Sequence, residues 1–107
     1  MVYKERFSDR ELEKIISEGF IYMCACPAKV AEAVRSVRSL YRYQLACLQN
    51  PDNDDRVHQV IAAASIATHA QLQDCMDEVL VIEKWDRATL QMPADLRVKQ
   101  LKAITDD

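Results

Sequence analysis

Residues 24–49 read CACPAKVAEAVRSVRSLYRYQLACLQ, and the reading of this stretch decides the fold. Pro27 suits the first turn of a helix, where the N–H that proline lacks would find no partner anyway. Cys26 then lies near the N-cap, at a bend in the chain. Beyond it Val30, Val34, Val37, Tyr41 and Leu48 recur at helical spacing, with Ala33, Leu40, Leu45 and Cys47 widening the apolar side. Arg35, Arg38 and Arg42 fall at i, i+3 and i+7 and form a basic stripe on the flank of the same helix.

Asn50-Pro51-Asp52-Asn53-Asp54-Asp55 is the clearest turn in the chain. Its aspartates also suit the positive end of a following helix. That helix is expected over about 54–85 and carries two apolar strips. Ile61, Ser65, Thr68, Leu72, Cys75, Val79 and Ile82 alternate in steps of four and three, the spacing of a coiled-coil seam. Ala62, Ile66, His69, Met76 and Leu80 make the second strip. About 30 residues of helix span roughly 45 Å, more than the helix before it, so other helices or a second subunit must cover the excess.

Working outward, Ser8 and Glu11 form a capping box, with Leu12, Ile15, Ile16, Phe20 and Met23 following at helical spacing. This places a first helix over about 9–23. Gly19 within it costs on the order of 1 kcal/mol relative to alanine, for which a close approach to a neighbouring helix is the simplest reason. At the other end Asp86 or Thr89 could open a further turn, and Pro93 with Asp95 reads as the start of a fourth helix carrying Leu96, Leu101 and Ile104.

The expectation is therefore a single all-α domain over 1–107, an antiparallel bundle of three to four helices built on the hairpin of the second and third. About the Asn53 turn, residues facing one another across that hairpin should have numbers summing to about 106. Composition agrees. One glycine and three prolines are too few for the frequent tight turns of β-rich folds, and a chain that is 50% hydrophobic is no disordered segment.

A net charge of −3 argues for solubility and against generic nucleic-acid binding. No apolar run approaches the roughly 20 residues needed to span a bilayer. The opening MVYKERFSDRELEK lacks the apolar core of a secretory signal. A cytoplasmic chain with reduced cysteines is expected.

Three groups of residues could carry chemistry. Cys24 and Cys26 precede or open the second helix, where unpaired N–H groups favour a thiolate, and hairpin geometry brings Cys75 towards the same end. Small buried residues at a helix junction are the simpler account of them. Cys47 lies at the other end beside His58, and neither end has a four-ligand zinc pattern. His69, set among apolar residues, reads as a hydrogen-bonded core histidine, and His58 as a solvated first-turn residue. Arg35, Arg38 and Arg42 with Tyr43 could hold an anion, since arginine forks suit phosphate or carboxylate. A solvated helix face, paired with Glu32 and the acidic side chains of the first or third helix, is the plainer alternative. Asp74, Asp77, Glu78 and Glu83 cluster late in the third helix, but no Glu-x-x-His accompanies them. No nucleophile elbow or Gly-rich phosphate loop occurs either.

An enzyme is not expected, nor a metal or cofactor. The leading expectation is a non-enzymatic helical-bundle protein that works by self-association as a homodimer, or as an adaptor offering a helical surface to another protein. A thiol or metal sensor at Cys24, Cys26 and Cys75 is the second reading. Anion or nucleic-acid binding through the arginine stripe is the third.

Overall fold

The computed structural model describes residues 2–19, 25–52 and 55–93. Among these lie three helices and no strand: α1 (Asp9–Gly19), α2 (Cys26–Leu48) and α3 (Asp55–Ile82). The expected fourth helix falls outside the described residues, as do Phe20, Met23 and Cys24.

Each boundary has a local cause. At the start of α1 the Ser8 N–H donates to Glu11 Oε1 at 2.9 Å, and the Glu11 N–H donates to Ser8 Oγ at 3.0 Å. The capping box read from sequence is complete, and the Ser8 N–H holds the Glu11 carboxyl below its usual range. At the other end of α1, a Cβ on Gly19 would stand 2.7 Å from the Ala28 Cβ of α2. The glycine is there because the two helices touch backbone to backbone.

Ala25, rather than Cys26, caps α2, with φ 32° in the left-handed region. Its carbonyl accepts the Lys29 N–H at 3.0 Å and closes the first turn, so Cys26 is already helical.

α3 stops at Ile82, three residues earlier than its apolar pattern suggested. Lys84 adopts φ 59°, the Trp85 N–H donates to the Leu80 carbonyl at 2.9 Å, and the Lys84 N–H donates to that of Val81 at 3.1 Å. This is a Schellman termination, usually signalled by glycine at the left-handed position. Lysine stands there instead, which hid the stop. Among the described residues no helical turn follows. Asp86 and Gln91 pair in an isolated bridge, and Asp86 Oδ1 accepts the N–H groups of Ala88 and Thr89. The loop so closed buries Trp85, Leu90 and Met92.

α2 is the central helix, packing against α1 on one side and α3 on another, while α1 and α3 do not pack on each other. The α2–α3 hairpin is antiparallel. Arg38 meets His69, and Gln44, further along α2, meets His58, earlier on α3. Residue numbers at these two contacts sum to 107 and 102, close to the expected 106.

The buried side of α3 is Ala62, Ser65, His69, Gln73, Met76 and Leu80, so the second of its two apolar strips faces inward. Of the first strip only Ser65 is buried. Ile61, Leu72, Cys75 and Val79 are half-covered, and Thr68 and Ile82 are exposed. On α2 the buried line is Pro27, Ala28, Ala31, Val34, Arg38 and Gln44. Leu40 and Leu45, expected along the seam, are exposed, whereas Arg38 is only 1% exposed. Steps of four and three from Pro27 through Ala31 and Val34 lead to Arg38; the core line runs through the arginine.

Burial thus changes character along the hairpin. The apolar cluster comprises Phe7, Leu12, Ile15, Ile16, Ala31, Val34, Met76, Leu80, Trp85, Leu90 and Met92, all at the end away from the 50–55 turn. Nearer the turn the buried positions are filled by Arg38, Gln44, Ser65, His69 and Gln73, with Ala62 the apolar exception.

Candidate functional site

Two surfaces bear on function: the arginine stripe and the outer face of the hairpin. The stripe is three environments rather than one. Arg35 is exposed, Arg42 is half exposed, and Arg38 is buried beneath residues 3–9.

A buried guanidinium must have its donors met, because an unpaired charge out of water is costly. Arg38 Nε donates to His69 Nε2 at 2.9 Å, Nη1 to Asp9 Oδ1 at 2.9 Å, and Nη2 to Gln73 Oε1 at 3.1 Å and to the Phe7 carbonyl. Gln73 is equally committed. Its Oε1 also accepts the Arg6 N–H at 2.8 Å, and its Nε2 donates to the Lys4 carbonyl at 2.9 Å. The N-terminal segment is held across α2 and α3 by these polar bonds, by Phe7 in the core, and by Tyr3 stacking on Tyr41 and on His69 with ring centroids 4.1 and 4.8 Å apart.

The electrostatics follow from this geometry. Desolvation, then the adjacent Arg38 charge, lowers the His69 pKa below its ordinary 6.5, so the ring is neutral and its Nε2 is free to accept. The Arg38 bond, then that from Arg42, holds Asp9 below its usual range. The Tyr3 hydroxyl and Arg42 do the same for Glu5. Burial, with the Glu5 carboxylate beside it, pushes Tyr3 up to about 12.

Arg35, Arg38 and Arg42 do share one shallow cleft, with Ser39, Asp9 and Glu13 completing its walls. Arg42, however, already bonds Glu5 at 2.9 Å and Asp9 at 3.1 Å. The cleft therefore brings its own carboxylates. Tyr43 stands apart from it, roughly 100° round the helix from Arg42, and hydrogen-bonds Cys47, which raises its pKa.

The cysteines do not form a cluster among the described residues. Cys26 is exposed, and Cys47 and Cys75 are half-buried; Cys24 lies outside the described part. No group of three or more His, Cys, Asp or Glu side chains among the described residues is placed to hold a metal ion. His58 is half-buried and 2.7 Å from Gln44 Oε1, rather than solvated, while His69 is the core histidine its neighbours suggested.

The second surface is the outer side of the hairpin. Leu40 on α2 lies roughly 120–160° round the helix from Ala28 and Arg42, which meet α1. On this α1-free side α2 presents Leu40 and half-covered Val37; on α3, Val57, Val60, Ala64 and Thr68 are exposed and Ile61 is half-covered. Val57 and Val60 are 53% and 69% exposed. From Val57 to Gln73 the chain has no Asp, Glu, Lys or Arg at all. An amphipathic helix ordinarily places its charges on the solvent side; here that side carries none for more than four turns.

No family model, characterised protein or solved structure matches this chain. The site rests on its own geometry.

The expected pairing of the stripe with acidic side chains of the first helix is seen at Asp9, which bonds both Arg38 and Arg42. Sequence reasoning missed Gln73 and Glu5 as partners of Arg38, and Tyr3 as the ring stacked on His69. A signal for Gln73 existed, since it falls at i+4 from His69 and i−3 from Met76 on the inward strip. The N-terminal partners gave none, because nothing in residues 3–9 says which helix they cross.

Proposed function

We propose that this protein is a non-enzymatic helical interaction module that works by self-association through the α1-free face of the α2–α3 hairpin. The carrying observation is the uncharged Val57–Gln73 stretch with Val57 and Val60 exposed on it. Charged residues are depleted in the core of protein interfaces and not on free surfaces. An exposed apolar face of this length marks an association surface. A cytosolic setting is part of the reading.

Analytical ultracentrifugation over a wide concentration range tests it, on the full chain and on Val60→Glu. Reversible dimerisation that Val60→Glu weakens at least about tenfold, a change of 1.4 kcal/mol, is the expected result. A compact monomer at every concentration, or a variant that associates as well as the parent, overturns it.

A further inference from the structure

Resting on that reading, we infer that the occupant of the outer face is a second copy of this chain, its α3 running antiparallel to the first. Charge decides the direction. α3 is divided: Val57–Gln73 carries no charge, whereas Asp74, Asp77 and Glu78 crowd the part that follows. Arg6 and Arg87 already pair Asp74 and Asp77 within the chain. Parallel pairing would therefore set chiefly Glu78 against its own copy, and like charges brought together at an interface oppose it. Antiparallel pairing lays each acidic half over the partner's uncharged half.

Spacing supplies the register. Along one side of α3 stand Val57, Ala64, Thr68, Gln71, Cys75 and Ile82, separated by 7, 4, 3, 4 and 7 residues. A two-fold interface is self-complementary, each residue meeting one that meets it in return, and this spacing reads the same in both directions. Residues whose numbers sum to 139 then oppose one another: Val57 with Ile82, Ala64 with Cys75, and Thr68 with Gln71. The ends are large and apolar, with Val57 53% and Ile82 75% exposed. Small Ala64 lets the helices close to the short end of the usual 8–10 Å separation. Thr68 and Gln71, beside the axis, form the polar pair that fixes alignment, as a single polar layer does in coiled coils.

Ala64→Cys tests the pairing, because it places a thiol opposite the native Cys75. Under mild oxidation with diamide, peptide mapping should find the introduced thiol joined to Cys75 of a second chain in most of the protein. Ala63→Cys, rotated roughly 100° away on the same turn, should give no such link. A dimer by sedimentation that does not link 64 to 75, or one in which Cys75 joins Cys75, overturns the antiparallel register and leaves self-association standing. A monomer by sedimentation overturns both.

Discussion

The two strips of α3 are both apolar in sequence, yet they meet opposite surroundings. The inward strip ends in Met76 and Leu80, fully enclosed, but its middle is His69 and Gln73, bonded to Arg38 and to the N-terminal segment. The outward side, to which Thr68 and Ile82 of the other strip turn, also has Val57 and Val60 in the open and no charge from Val57 to Gln73. Polar groups lie inside the middle of α3, and large apolar groups lie outside towards its two ends. The difference teaches that hydropathy alone does not assign a helix face. Partners do: His69 and Gln73 can be buried because Arg38 and, for Gln73, the backbone of Lys4, Arg6 and Phe7 satisfy them.

The sharpest way to break this contrast is to remove the partner. Arg38→Leu keeps an apolar stem but takes the Arg38 donor from Asp9 Oδ1, the Phe7 carbonyl and His69 Nε2, while the other Asp9 oxygen keeps Arg42. Truncating one member of a buried charged network costs about 3–5 kcal/mol, and urea unfolding should show a loss of that size. Arg35→Leu, on the exposed part of the same stripe, should stay within about 0.5 kcal/mol of the parent. Equal losses would mean that the stripe acts as one surface.

Next in size is a direct comparison of the strips. Met76 is wholly enclosed in the apolar cluster, so Met76→Ala should cost about 2–5 kcal/mol. Val60→Ala on the outward strip removes exposed methyls, and its effect on a dilute, dissociated chain should be within about 0.5 kcal/mol. A large loss from Val60→Ala at low protein concentration would show that the outward strip is covered within the single chain.

Much of this was legible beforehand, for reasons that can be named. The hairpin, the Ser8–Glu11 box and the reason for Gly19 all rest on local rules, in which spacing and turn residues act within a few positions. The burial of Arg38 depends on a segment 29 residues upstream in sequence supplying Asp9, and no local pattern encodes that. Leu40 and Leu45 looked like core for the converse reason: each fits the helical period, but among the described residues no element lies over them. The Lys84 stop was hidden because the backbone conformation was chosen by the burial of Trp85, not by a glycine.

Acid should divide the inner network from the rest. His69 has its pKa lowered in the folded chain, so below about pH 6.5 the unfolded chain takes up a proton that the folded one refuses. Stability should therefore fall as pH drops through 6.5, and level off once the folded ring also protonates. Glu5, Asp9 and Glu11 are lowered from 4.5, 3.8 and 4.5, so their contributions are held above those values and lost only as pH falls further, through their folded pKa values. Urea midpoints against pH should show two stages, and His69→Gln should remove the upper one alone. A single stage below pH 4.5 in the parent would mean that His69 does not report burial.

The smallest effect lies at the point where α3 hands over from one strip to the other. Val81 and Ile82 are both 75% exposed, and three residues later Trp85 is 6% exposed. The reversal is made by Lys84, whose φ of 59° costs an L-residue roughly 1–2 kcal/mol. Glycine pays no such penalty but loses more freedom on folding, so Lys84→Gly should stabilise by about 0.5–1 kcal/mol, or about 2–8 °C in Tm for a domain of this size. The Lys84 side chain is exposed, so little contact is lost to obscure the gain. If Lys84→Gly instead lowers Tm, the left-handed turn is not what ends the helix, and the burial of Trp85 must be secured by the closed 86–91 loop behind it.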